Sequence, residues 1–324
     1  MATRRGILVG LGGLTALAIL PSIARAGGSD LVRISGRAFG TRWQVTLPRD
    51  VDARTLGADL RHILTGIDRS MSPFRAESEL SRFNRHGDTA SFPVSKEFHT
   101  VAARALDMAR LTDGAFDPGV GPAVHRYGFG PIDSGRSGHY TAFAATAKGL
   151  SKADPALSLD LCGIAKGHAV DRLAGHLSTR GVRCFLLEVG GEVYARSMRP
   201  DGAPWRVGIA DPLRSGVHSA LTLTDMAMAT SGDAINAYEI AGRRYSHTID
   251  PATGEPVYNS VASVSVLAPT ALQADAFATA LMVMGPERGL AYASAHALPA
   301  LYLLREADGL RAEANTLFIE QGWN

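Results

Sequence analysis

ATSGD (residues 229–233), RYSHTIDPATGEPV (244–257) and ALQADAFATALMVMG (271–285) are polar clusters set in an otherwise apolar stretch, Met226 to Gly285, that the rest of the chain serves. The third cluster predicts a helix over 270–284. Thr270 followed by Gln273 is a capping-box pattern, and Gly285 is a natural stop. Nearly every position inside is Ala, Leu, Phe, Val or Met, so the helix is expected to be buried almost all round. Asp275 and Thr279 are the exceptions. They stand four apart and so share a face, flanked by Leu272 and Met282. A buried carboxylate without a partner costs several kcal/mol. A hard cation such as Mg²⁺ is one partner, since it takes oxygen ligands from a carboxylate or two and from substrate phosphates. The structural alternative is that Asp275 caps a neighbouring backbone segment and Thr279 bonds its own helix.

Upstream, Ser246 to Asp250 reads as the end of a strand, and Pro251 with Thr253-Gly254 turns a tight corner. Corners of this kind present side chains at a sheet edge. His247 is the one group there able to exchange a proton near neutral pH. A hydrogen-bonded strand His247 and a turn-forming Asp250 are the plainer alternative.

Taken together, ATSGD, YSHTIDPATGEPV and ADAFATAL resemble the signature blocks of the ApbE family, whose members are Mg²⁺-dependent FAD:protein FMN transferases of the bacterial cell envelope. The resemblance runs from about Phe39 to the C-terminus in several separate blocks, a far more specific signal than one short motif. It implies an α+β fold of mixed sheets with flanking helices (T-fold-like), and FAD in a cleft between two intimate lobes of one domain, 27–324.

The N-terminus agrees with an envelope protein. Arg4-Arg5 precede an apolar run from Ile7 to Leu20, then Pro21 and the small-residue site Ala24-Arg25-Ala26. That is the pattern of a twin-arginine signal over 1–26. Its glycines and proline disfavour an uncleaved anchor, so the signal is expected to meet the membrane only during export. Many family members carry a lipoprotein Cys at this point. Here there is none, and a soluble periplasmic protein is expected. With 33 Lys+Arg against 31 Asp+Glu and no long basic block, nucleic acid is not an expected partner. The two cysteines, Cys162 and Cys184, form no disulfide framework; they are read as either bridged or buried free thiols.

Further blocks follow in order. Leu31 to Leu47 reads as a hairpin broken at Phe39-Gly40-Thr41, and the family has a comparable Gly-Thr motif at Gly40-Thr41. Residues 55–70 read as an amphipathic helix. MSPFRAESELSRFN (71–84) resembles a family block in which an aromatic, here Phe74 in place of Tyr, stacks on a flavin or adenine ring. Ser78 and Glu79 lie in that block, although Glu79 alone reads as a helix-surface residue. A helix is expected over 95–112. AFDPGVGP (115–122) leads to YGFGP (127–131), a rigid irregular wall where glycines admit a planar ligand and Asp117, Tyr127 or Phe129 line it. The alternative is a plain loop packed by its own aromatics. The family usually has Thr at Gly119 and Trp at Tyr127. Residues 131–153 read as a loop.

Leu157 to Leu161 alternates as a strand, Cys162-Gly163-Ile164 as a turn, and 165–179 as a helix. A strand, a Gly turn and a helix N-terminus make an anion site, and Lys166 adds charge, though neither phosphate-loop spacing is met. DLCGIAKGHAVD (160–171) resembles the family's D-L-G-G-I-A-K-G-x-x-x-D, with Cys162 in place of a glycine. In the family the main-chain carbonyl at Ala165 is a metal ligand, and Asp171 is then structural. WRVGIADP (205–212) resembles another block and carries no chemistry.

The resemblance therefore implies Mg²⁺ held by Asp275, Thr279 and the Ala165 carbonyl beside the FAD diphosphate, with Gly163, Lys166, Ser231, Gly232 and Asp233 lining the pocket. His247 is the candidate base for a Thr or Ser hydroxyl of an acceptor protein. Asp250 either orients that imidazole or contacts the metal. The expected reaction attaches FMN to the acceptor and releases AMP. Simple hydrolysis of FAD to FMN and AMP, and a non-catalytic periplasmic FAD-binding protein, are the alternatives. Family analogy points to acceptors with an exported FMN-binding domain, of the Rnf, Nqr or NosR type, and the signal without a lipid anchor is similar to a NosX-like branch.

Overall fold

The computed structural model describes residues 30–323; the twin-arginine segment read over 1–26 lies outside the described residues. The hairpin predicted at the start is formed by β1 (Leu31–Ala38) and β2 (Thr41–Pro48). Phe39 and Gly40, at φ 53° and 72°, make the two-residue turn whose left-handed backbone matches the twist of the flanking strands. Trp43, Val45 and Leu47 alternate inward from β2.

Six more strands continue the same sheet: β3 (Phe185–Val189), β4 (Glu192–Arg196), β5 (Met226–Gly232), β6 (Val261–Ala268), β7 (Ala300–Glu306) and β8 (Gly309–Ala314). Every adjacent pair in this eight-stranded sheet is antiparallel, and the spatial order of the strands is their order in the chain. The long connections carry the helices: α1 (Ala53–Met71), α2 (Glu79–Arg85), α3 (Lys96–Leu111), α4 (Gly121–Arg126), α5 (Cys162–Thr179), α6 (Ala271–Met284) and α7 (Pro286–Ala295).

Both faces of the sheet centre are covered, which is why β6 is buried at every position. Val264, Val266 and Ala268 join a core with residues of α1, α3, α5 and α6. Leu267 points the other way, into a smaller core with the hairpin Trp205–Ala210/Val217–Leu223 and Phe318. Among the described residues no helix is long and apolar enough to cross a membrane. Both cysteines are free, Cys162 exposed and Cys184 half-buried.

Helix α6 has the predicted ends and burial. The Thr270 hydroxyl accepts from the Gln273 N–H at 3.3 Å, and Gly285 stands at φ 75°. Two further N–H groups of its first turn, those of Ala271 and Leu272, donate to the Asp171 carboxylate of α5 at 2.8 and 3.0 Å. Burial outweighs these bonds and raises the Asp171 carboxyl to about 6. The helices meet where α5 has no side chain: a Cβ on Gly167 would fall 2.3 Å from the Ala271 carbonyl oxygen. Gly167→Ala is therefore expected to push α5 off α6 and destabilise the protein by about 1–3 kcal/mol, read from the urea midpoint.

Three sequence expectations are corrected. Leu157–Leu161 is not a strand of any sheet; it makes one isolated bridge, Leu157 with Arg136. A side chain has taken the place of a partner strand: the Asn84 amide accepts from the Leu159 N–H and donates to the Leu159 carbonyl, both at 2.8 Å. The α5 helix begins at Cys162, so the expected turn is its first turn. Within 131–153 lies a small hairpin, Phe143–Thr146 with Gly149–Lys152, after a 3₁₀ turn at Tyr140–Ala142.

Candidate active site

The contact of α5 with α6 brings Asp275 against the first turns of α5. Asp275 is 3% exposed; one carboxylate oxygen accepts the Gly167 N–H at 2.9 Å, and the other lies 3.4 Å from the Lys166 ammonium. Capping of a neighbouring backbone, the plainer reading of Asp275, is thus present, but it uses only one oxygen. Lys166 is held more closely by Glu192, at 2.5 Å. Glu192 opens β4 directly after Gly190-Gly191, is 2% exposed, and keeps its second oxygen buried without a hydrogen-bond partner. Two buried carboxylates share one ammonium. Burial raises the Glu192 carboxyl pKa and Asp275 adds to that rise, while the Lys166 ammonium at 2.5 Å works against it and favours the ionised carboxylate. Burial also works against the Lys166 charge, but Asp275 and Glu192 outweigh it and raise its pKa.

Around this cluster, the Thr279 hydroxyl on α6 lies 3.4 Å from that of Ser231 on β5. Gly163 keeps the approach narrow, since a Cβ there would stand 3.2 Å from the Thr279 hydroxyl. The Gly40-Thr41 turn reaches the same place: a Cβ on Gly190 would meet the Thr41 methyl at 2.7 Å and Lys166 Cδ at 3.5 Å. Gly232 permits close packing of β5 on β6, with the Ala262 carbonyl 2.9 Å from where a Cβ would be.

His247 follows the hairpin Ala237–Ile240/Arg243–Ser246. Its main-chain N–H donates to the Asn236 carbonyl at 3.0 Å, and its ring Nδ1 lies 3.3 Å from the same oxygen. Burial lowers its pKa, against that hydrogen bond, and the Lys166 charge lowers it further. The imidazole is therefore held neutral near pH 7. Its ring meets Phe129 edge-on at 6.3 Å, and Phe129 stacks on Tyr238 at 5.2 Å. Tyr238 stacks on Tyr245 at 5.3 Å and Tyr245 on Tyr127 at 6.4 Å, so a ladder of rings joins the Gly/Pro wall to the hairpin. Arg126 fastens the wall to the Thr253-Gly254 corner by donating to the Gly254 carbonyl at 3.0 Å.

Other residues singled out from the sequence have their side chains engaged in framework contacts. Glu79 accepts from the Ser70 hydroxyl and from both the N–H and hydroxyl of Ser95, the cap of α3. Ser78 caps α2 through the Ser81 N–H. Asp117 takes the Gly119 and Tyr140 N–H groups, each at 2.8 Å. Asp233 is paired on both oxygens, with Arg244 at 2.6 Å and with Arg305. Asp250 accepts the Ala252 N–H at 2.9 Å and shapes the corner; it is the Asn236 carbonyl, and not Asp250, that orients His247. Phe74 is 68% exposed. Glu192, Tyr238 and Tyr245 were not picked out from the sequence. Glu192 had a usable signal, a charged residue directly after a Gly-Gly turn at a strand end.

Among the described residues no three His, Cys, Asp or Glu side chains gather as a metal cluster. On this face of α6 the groups able to hold a cation are oxygens, the Asp275 carboxylate and, four residues on, the Thr279 hydroxyl. That chemistry fits a hard cation with few protein ligands, and the Lys166 ammonium already marks the spot as one for positive charge.

Residues 39–302 match the model of the ApbE family. The chain belongs to that family. Among ApbE relatives, the FAD:protein FMN transferase of Vibrio cholerae serotype O1 is 38% identical over 311 residues, covering 90% of this chain and 92% of that protein. The enzyme of the same name from Escherichia coli K12 is 33% identical and covers 90% and 89%. The flavin transferase ApbE structure from Vibrio cholerae superposes with a TM-score of 0.82 at 36% identity, covering 90% of this chain and 99% of that one. The apo flavinyl transferase ApbE of Pseudomonas stutzeri also gives 0.82, at 32% identity, covering 90% and 96%. The α+β architecture of sheets with flanking helices expected from the sequence is that of these ApbE structures.

Proposed function

We propose that this protein is a FAD:protein FMN transferase that breaks the diphosphate of FAD, attaches FMN to a Thr or Ser hydroxyl of a redox protein and releases AMP. The observation that carries the reading is the pair of buried carboxylates, Asp275 and Glu192, around the half-buried Lys166 where α5, α6 and β4 meet, in a chain whose relatives bear that activity in their names. The acceptor oxygen bonds to the phosphorus on the FMN side, the bond to the AMP oxygen breaks, and the hydroxyl proton passes to His247. Asp275, Thr279 and the Ala165 carbonyl would hold Mg²⁺, which neutralises charge building on the diphosphate. Ser231 and the Gly163 turn line the approach, and the ring ladder with Phe129 excludes water beside His247. Asp250 and Asp233 act through the turn and hairpin they fix.

We place the acceptor outside the cytoplasm, as a protein with an exported FMN-binding domain, and infer export of this chain by the twin-arginine route. Replacing Arg4 and Arg5 by Lys should then retain the protein inside the cell on fractionation.

The direct test incubates the protein with FAD, MgCl₂ and such an acceptor domain. The expected result is AMP release together with an acceptor mass gain equal to esterified FMN. AMP without covalent flavin would make the protein a pyrophosphatase, and neither product would make it a binding protein.

A further inference from the structure

We propose that Glu192 is a positioning residue: it holds the Lys166 ammonium away from Asp275 and so leaves that carboxylate open to a divalent cation. The inference rests on the metal role of Asp275 given above and adds a residue outside the ligand set.

The distances are unequal in the direction this requires. Lys166 Nζ is 2.5 Å from Glu192 and 3.4 Å from Asp275. One Asp275 oxygen accepts the Gly167 N–H at 2.9 Å, and the other meets Lys166 only at the long distance of 3.4 Å, so the weakly held oxygen is the one a cation can take. Lysine is a mobile point charge on a flexible stem. Deprived of Glu192, it has Asp275 as its remaining carboxylate partner and closes the gap. A cation then has to break a buried ion pair before it binds, which is costly. Glu192 removes that cost by satisfying the ammonium from the other side. It is itself 2% exposed, with one carboxylate oxygen unpartnered, so its place in the fold is set by what it does to Lys166 rather than by a full set of hydrogen bonds.

The test uses the full chain without FAD and MgCl₂ alone as probe, with the half-saturating concentration read from thermal stabilisation and from calorimetry. Glu192→Gln keeps the shape and removes the charge; it is expected to raise that concentration about 10- to 100-fold, as loss of groups supporting metal ligands does. The double variant Lys166→Met/Glu192→Gln is expected to return to the wild-type range, because the competing ammonium is gone. If Glu192→Gln binds like wild type, or if the double variant stays as weak as the single, the proposal is overturned; the latter outcome would make Glu192 a direct ligand. If the wild type gives no Mg²⁺ response, the metal reading of Asp275 falls as well, which separates the two failures. Should Glu192→Gln fail to fold, Lys166→Met alone decides. Binding at least as tight as wild type supports the proposal, and weaker binding overturns it.

Discussion

Asp275→Asn is expected to lower flavin transfer by about a thousandfold or more while leaving the fold intact, the size of effect seen when electrostatic stabilisation of a transition state is removed. The choice of Asn matters. One Asp275 oxygen accepts the buried Gly167 N–H, and Asp275→Ala would orphan that donor at a cost of about 1–3 kcal/mol. The amide oxygen of Asn still accepts, so thermal unfolding should stay near wild type while Mg²⁺-dependent stabilisation disappears. Full transfer activity in a folded Asp275→Asn protein would remove the metal site assigned to α6.

His247→Ala is expected to reduce the transfer rate by about 10²- to 10⁴-fold, the usual contribution of a positioned base, with FAD binding largely kept. The pH profile gives an independent check. Burial and the Lys166 charge lower the His247 pKa, so the ring is neutral and able to accept a proton across neutral pH. The wild-type rate should be level there and fall tenfold per unit once the pH drops below that depressed value, because the imidazolium cannot act as a base. The acid limb should be missing in His247→Ala. An unchanged acid limb in that variant would assign the titration, and the base, to another group.

What could be read from the sequence depended on how far apart the interacting residues stand in the chain. The ends of α6, its burial and the shared face of Asp275 and Thr279 are local, set by spacings of three and four residues, and they are where the periodicity puts them. Asp171 was legible as structural only through the family pattern; its partners, the first N–H groups of α6, lie about a hundred residues away. Glu192 becomes visible only when β4 is laid beside α5. The ring ladder pairs Tyr127 and Phe129 with a hairpin more than a hundred positions later, so each aromatic alone reads as loop packing. The false strand at 157–161 has the same origin: its alternation is real, but its hydrogen-bond partner is the side chain of Asn84.

The sheet order carries a consequence for how the molecule is assembled. Since each strand lies beside its predecessor in the chain, the sheet can be extended strand by strand at a single growing rim during synthesis, and no late strand has to be threaded between two earlier ones. Until β6 emerges, that rim is β5, a row of unpaired amides and carbonyls bearing Ala227, Met228 and Ala229, and such a rim is sticky. The same segment that silences it leads straight into α6, so the nascent polypeptide loses its aggregation hazard and gains the buried Asp275 carboxylate within one short stretch of translation.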